Sequence, residues 1–159
     1  MLLIQGPPGT GKTQVADAIF RVWKSIGVQG PAVGAAPSNV AADNLARRLL
    51  KTTTLDVKRY GPPGKITDAD MRRISSQEMA IKADCDPSSN SKKARKRRRQ
   101  WERQVFAEDT DVVIGTLEMA CDLQTEEFPW TSPLILVDEA AQATEPMTII
   151  PFSWPKLTG

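Results

Sequence analysis

Leu2-Leu3-Ile4-Gln5-Gly6-Pro7-Pro8-Gly9-Thr10-Gly11-Lys12-Thr13 opens the chain: a short apolar run passes directly into a glycine-rich loop closed by Lys-Thr. The pattern Gly-x4-Gly-Lys-Thr is that of a phosphate-binding loop. Its glycines permit positive φ and a tight wrap, so that successive backbone N–H groups face one anion. Lys12 adds a point charge for the outer phosphates, and Thr13 offers a hydroxyl to Mg²⁺. A helix starting near Lys12 would turn its positive dipole end toward the same anion. Apolar residues Val15, Ala16, Ile19, Phe20, Val22, Trp23 and Ile26 follow at helical spacing, so Leu2 to Gln5 is expected as strand and Gln14 to Ile26 as helix.

Outward from the loop, strand and helix patterns alternate. Strands are expected at Ala32 to Ala36, Asp56 to Tyr60, Val112 to Gly115 and Leu134 to Val137. Helices are expected at Val40 to Leu50, Asp68 to Lys82 and about Lys92 to Ala107, with Ala83 to Ser91 reading as a turn. Continuous apolar strands alternating with helices imply an α/β fold, a parallel sheet covered on both faces. Ligands of such sheets sit at the carboxyl ends of the strands. Lys12, Ser38, Thr116 and Asp138 all fall just after a strand and can converge on that edge.

The run Leu134-Ile135-Leu136-Val137-Asp138-Glu139-Ala140-Ala141-Gln142 delivers two adjacent carboxylates where a buried strand ends. Beside a phosphate-binding loop, Asp138 can hold Mg²⁺ and Glu139 can accept a proton from water attacking the γ-phosphate. The plainer reading is an acidic helix start, in which Glu139 only complements the dipole. Ser38 and Asn39 likewise carry a plain reading, as the cap of the helix that follows them.

Composition bounds the rest. At 159 residues the chain is about one domain. Cys85 and Cys121 stand 36 positions apart and histidine is absent, which argues against a zinc site or a disulfide framework. A reducing, intracellular setting is expected, cytoplasmic or nuclear, with no membrane: no apolar run approaches the ~20 residues that span a bilayer. The formal net charge is +2, yet Lys92, Lys93, Arg95, Lys96, Arg97, Arg98 and Arg99 crowd seven positive charges into eight residues, so the remainder is net negative. That run reads as a solvated helix balanced by Glu102, Glu108 and Asp109, as a phosphate-contacting segment, or as a nuclear import address. Trp101 beside it either stacks on a base or packs with Val105 and Phe106.

Gly6 to Thr13, Ala36-Pro37-Ser38-Asn39-Val40-Ala41-Ala42-Asp43, Asp111-Val112-Val113-Ile114-Gly115-Thr116 and Asp138-Glu139-Ala140-Ala141-Gln142-Ala143-Thr144-Glu145-Pro146 resemble motifs I, Ia, Ic and II of superfamily 1 helicases, in order. The last stretch resembles specifically the up-frameshift and senataxin branch, whose best-known member drives nonsense-mediated mRNA decay. The resemblance implies a RecA-like P-loop NTPase domain, partial over residues 1–159, with a helical, basic, stalk-like insertion at about 67–108. It implies ATP and Mg²⁺ as cofactors. Gly6, Pro7, Pro8, Gly9, Thr10, Gly11, Lys12 and Thr13 would cradle the phosphates; Thr13 and Asp138 would hold the metal; Lys12, Asp138, Glu139 and Gln142 would serve catalysis. Ser38, Asn39 and Thr116 would face the phosphates of single-stranded RNA or DNA. It also implies a second RecA-like domain beyond this sequence, so the chain reads as a C-terminally incomplete fragment expected to hydrolyse ATP barely alone. Two rivals remain open: an AAA+ ATPase fragment, which shares the loop but not the Asp-Glu-x-x-Gln frame or the 126 positions from Lys12 to Asp138, and a non-catalytic nucleotide- or RNA-binding module.

Overall fold

Ala32-Val33-Gly34-Ala35-Ala36 is apolar at every position, the pattern of a strand buried on both faces. In the computed structural model, which describes residues 2–7, 9–28, 30–61, 64–66, 68–75, 110–122, 132 and 134–152, this segment is β1 (Ala32–Ala36), buried at all five residues. β2 (Val57–Arg59), β3 (Val112–Thr116) and β4 (Ile135–Val137) complete a four-stranded parallel sheet of order β2-β3-β1-β4. β1 pairs with β3 through Ala32 opposite Val112 and with β4 through Val33 opposite Ile135; β2 pairs with β3 through Val57 opposite Val112.

Side chains alternate across a strand, and here the alternation divides the core in two. Ala32, Ala36, Val112 and Ile114 pack with Phe20 of α1 (Lys12–Ser25), with Ala42, Leu45 and Leu49 of α2 (Asn39–Thr52), and with Met71 of α3 (Ala69–Arg73). Val33, Ala35 and Val113 face the other way, with Leu117 and Ala120 of α4 (Leu117–Asp122) and Met147 of α5 (Glu145–Ile149). Helices therefore cover both faces, as the alternation implies. α4 and α5 are too short to betray themselves by periodicity.

Two expected elements differ. Leu2 to Gln5 forms no strand: Leu2 and Leu3 are 82% and 78% exposed and lie off the sheet. β1 is flanked on both sides, so only an outer edge was open to that run; an apolar run supplies strand propensity but not a partner. The helix expected over Asp68 to Lys82 ends at Arg73, where Ile74 leaves helical geometry and Ser75 bridges Arg59 in parallel. Positions 76–82, the turn at Ala83 to Ser91, and the basic helix about Lys92 to Ala107 lie outside the described residues, as does most of the expected insertion at 67–108.

Gly34 is required by proximity. A Cβ there would stand 2.4 Å from Ile114 Cδ1 and 3.2 Å from Leu45 Cδ2, and both side chains are fully buried. Gly34→Ala is expected to destabilise by about 1–3 kcal/mol, a melting temperature roughly 2–12 °C lower by circular dichroism.

Asp68 caps α3: its Oδ1 accepts from the N–H groups of Asp70 (2.9 Å) and Met71 (3.1 Å), while Oδ2 takes Nη2 of Arg47 at 2.6 Å. The Met71 N–H foremost, then Arg47, holds its carboxyl below the ordinary value. A depressed folded value means the cap's contribution is complete above the unfolded carboxylate value and disappears as pH falls through the folded one. The Asp70 and Met71 amide resonances are therefore expected to shift together below about pH 4, and Asp68→Asn to abolish that titration.

Candidate nucleotide site and strand cleft

The loop before α1 has the backbone its sequence requires. Gly9 and Gly11 take φ of 81° and 85°, and Gly11 caps α1 without any side chain accepting the first helical N–H groups. Those donors, an uncapped positive helix end and a lysine make a site that fits phosphate oxygens. Lys12 Nζ donates to the carbonyls of Gly6 (2.6 Å) and Pro7 (2.8 Å), and Thr10 Oγ1 donates to Pro7 at 2.8 Å, so the loop is folded around its own cation. Thr13 is half-buried in the first turn of α1; Pro8 lies outside the described residues.

The acidic turn follows β4. Asp138 N–H donates to Ala35 O at 2.9 Å, extending the ladder one residue, and Asp138 Oδ1 accepts from Glu139 N–H at 3.0 Å. Glu139 stands at φ 53°, ψ 33°, the only non-glycine with positive φ among the described residues. Such backbone costs of order 1–3 kcal/mol and concentrates at functional sites. A 3₁₀ turn, Ala140–Gln142, follows, with Gln142 N–H donating to Glu139 O at 2.9 Å and the Glu139 side chain capping nothing. Glu139 and Gln142 are exposed, Asp138 half-buried.

Helix direction ties the two halves together. Lys24 near the end of α1 pairs with Asp111 just before β3, and Phe20 lies over Gly34 in mid-sheet, so α1 runs antiparallel to the strands. Lys12 stands twelve residues before Lys24, about 18 Å along the helix, while a five-residue strand such as β3 spans about 16 Å. The loop consequently falls at the carboxyl edge, where Asp138 also emerges. Among the described residues no cluster of three metal-ligating side chains occurs. One carboxylate and one hydroxyl fit Mg²⁺, which takes most of its oxygens from phosphates and water.

Along the same edge a cleft of about 230 Å³ is lined by Ser38, Asn39, Lys65, Thr116, Glu118 and Met147, with three further residues. It brings Ser38, Asn39 and Thr116 together. Ser38 is indeed the cap of α2, its Oγ accepting from Ala41 N–H at 3.1 Å, and Thr116 Oγ1 accepts from Met119 N–H at 3.4 Å. A hydroxyl that accepts from backbone retains its own proton, so both can still donate to an anion. Capping and ligand contact are compatible here.

Lys65, Glu118 and Met147 join this cleft without a motif to announce them; Lys65 follows Gly64, at φ 80°, in the turn after β2. Arg59 below it was hidden more deeply. The sequence presents it as a charged strand end, yet it is fully buried, with Nε donating to Asp43 Oδ1 (2.8 Å), Nη1 to the carbonyls of Tyr60 and Ile114 (3.3 Å to the latter), and Nη2 to Asn39 Oδ1 (3.0 Å).

Known proteins resemble the chain over nearly its whole length. The family model described as "AAA domain" matches residues 1–89 and 65–156. The chain is 31% identical to "Regulator of nonsense transcripts 1 homolog" of Arabidopsis thaliana, over 94% of its own length and 13% of that protein's. It is 31% identical to "ATP-dependent helicase NAM7" of Saccharomyces cerevisiae (94% and 16%) and 27% identical to "ATP-dependent helicase upf1" of Schizosaccharomyces pombe (94% and 18%). It thus spans less than a fifth of the length of these relatives. With the glycine-rich loop, both sheet faces and the acidic turn all inside the matched stretch, the chain belongs to the AAA domain family and is homologous there to helicases of the nonsense-transcript regulator type.

Proposed function

We infer that this chain is the nucleotide-binding lobe of an ATP-dependent superfamily 1 helicase, coupling ATP hydrolysis to movement on single-stranded RNA or DNA. The observation that carries the reading is the shared edge: the strand cleft and the acidic turn stand on the carboxyl ends of adjacent strands, joined through the Asp138 N–H bond to Ala35, two residues before Pro37 of the cleft. A change at the nucleotide is then transmitted to the cleft over a few residues.

In this reading Lys12 leaves its loop carbonyls for the outer phosphate oxygens, and the N–H groups of Gly9 to Thr13 wrap the rest. Thr13 and Asp138 would hold Mg²⁺, which when bound neutralises charge on the phosphates. Glu139, on its left-handed turn, would take the proton of the attacking water, and Gln142 would order the nucleotide. Ser38, Asn39 and Thr116 donate to the strand's phosphates and are blind to sequence. Lys65 would strengthen that contact and make it sensitive to salt. A second RecA-like domain would complete hydrolysis across the nucleotide, and the setting would be the cytoplasm or the nucleus.

Two sites joined in this way must be linked reciprocally. Titration of fluorescent single-stranded RNA with and without a non-hydrolysable ATP analogue and Mg²⁺ is expected to show affinities differing about 5- to 150-fold, with the same factor when the analogue is titrated with and without RNA. Identical RNA affinities in both conditions would leave a nucleotide-indifferent tether as the correct reading.

A further inference from the structure

Arg59 has no surface to serve, and a buried ion pair is a weak source of stability, since apolar residues of similar volume are often as good or better. It instead bonds Asn39, which lines the cleft. We propose that Arg59 is the positioning residue of the strand site: it fixes the rotamer and polarity of the Asn39 amide so that the NH₂ group is presented to a backbone phosphate. The proposal rests on the cleft reading above.

The chemistry of the pair forces the orientation. A guanidinium carries donors only, so the atom of Asn39 that meets Nη2 at 3.0 Å must be the carbonyl oxygen. The carboxamide nitrogen then points to the opposite side. Among the described residues no protein oxygen accepts from it, and Asn39 lines the cleft.

Arg59 itself cannot move. Asp43, one helical turn after Asn39 on α2, holds Nε at 2.8 Å, and the Ile114 carbonyl two residues before Thr116 holds Nη1 at 3.3 Å. One planar fork thereby ties α2 to β3, setting Asn39 on one wall of the cleft relative to Thr116 on the other. Lysine, a point charge on a flexible stem, can pair with Asp43 but cannot also reach Asn39 in a fixed plane.

The test uses Arg59→Lys, Asn39→Ala and the double variant of the full chain, with two readouts. Without ligand, Arg59→Lys is expected to shift the Asn39 side-chain NH₂ resonances; unchanged resonances overturn the proposal whether or not the cleft takes nucleic acid. With fluorescent single-stranded RNA, Arg59→Lys is expected to weaken binding about tenfold while ATP-analogue affinity stays within twofold, and to add less than twofold in the Asn39→Ala background. Equal losses with and without the Asn39 amide would mean Arg59 acts on the fold alone.

Asn39→Asp guards against an unfolded lysine variant. It keeps an oxygen toward Arg59 and its stability, but has no proton to offer and is expected to lose RNA affinity; parental affinity in Asn39→Asp overturns the proposal. If the parent chain binds no RNA, the cleft reading fails, and the NH₂ resonances still decide whether Arg59 positions Asn39.

Discussion

Lys12→Ala is expected to weaken binding of an ATP analogue by roughly 10- to 100-fold while the chain remains folded. A hydrogen bond to a charged group contributes about 1.5–3 kcal/mol, and that range sets the factor. The fold is spared because the half-buried Lys12 bonds only to the carbonyls of its own loop, Gly6 and Pro7, which water can satisfy instead. Part of the intrinsic gain is offset in the parent, since those two bonds must break before the ammonium reaches a phosphate. Isothermal titration calorimetry on parent and variant, with melting curves alongside, separates the two effects. Equal affinities would mean that the loop folds around its lysine for structural reasons alone.

Asp43→Ala should have the largest effect on stability of any single truncation considered. It removes the carboxylate beside a guanidinium with no exposure to water, and breaking such a pair costs about 3–5 kcal/mol because a buried charge is left behind. For a domain of this size that is a melting temperature lower by roughly 6–20 °C. Removing both charges together, as Asp43→Leu with Arg59→Met, is expected to recover most of the loss while RNA affinity stays low. A cost under 1 kcal/mol in Asp43→Ala would show that Arg59 finds other partners easily.

Much of the scaffold was legible from the chain because each legible element satisfies its own local rule. β1 and β3 are continuous apolar runs, α2 follows a Ser cap at Ser38, and Asp138 sits where an apolar strand stops. What failed depended on partners. Leu2 to Gln5 reads as strand by composition, but it joins neither open edge of the sheet, β2 or β4. α3 stops at Arg73 because the backbone is captured by β2: Arg59 N–H donates to Ile74 O at 2.9 Å. The Arg59 network was illegible for the same reason. Asp43, Arg59 and Ile114 are far apart in sequence, and a charge at a strand end normally means solvent.

The strand order also dictates when this fold can come into being. β2 pairs only with β3 within the sheet, and β1 finds both its neighbours, β3 and β4, far downstream. Ala32 meets Val112, 80 residues later in the chain. A ribosome adding about 5–20 residues per second leaves β1, a strand buried at all five of its residues in the finished fold, without β3 for roughly 4–16 s. Among the described strands, the helix carrying the lysine loop and the helix carrying the cleft residues gain a paired sheet to rest on only when Val112 emerges. The nascent chain thus passes through an interval of exposure to chaperones and to its own copies, and β3 is the segment that ends it.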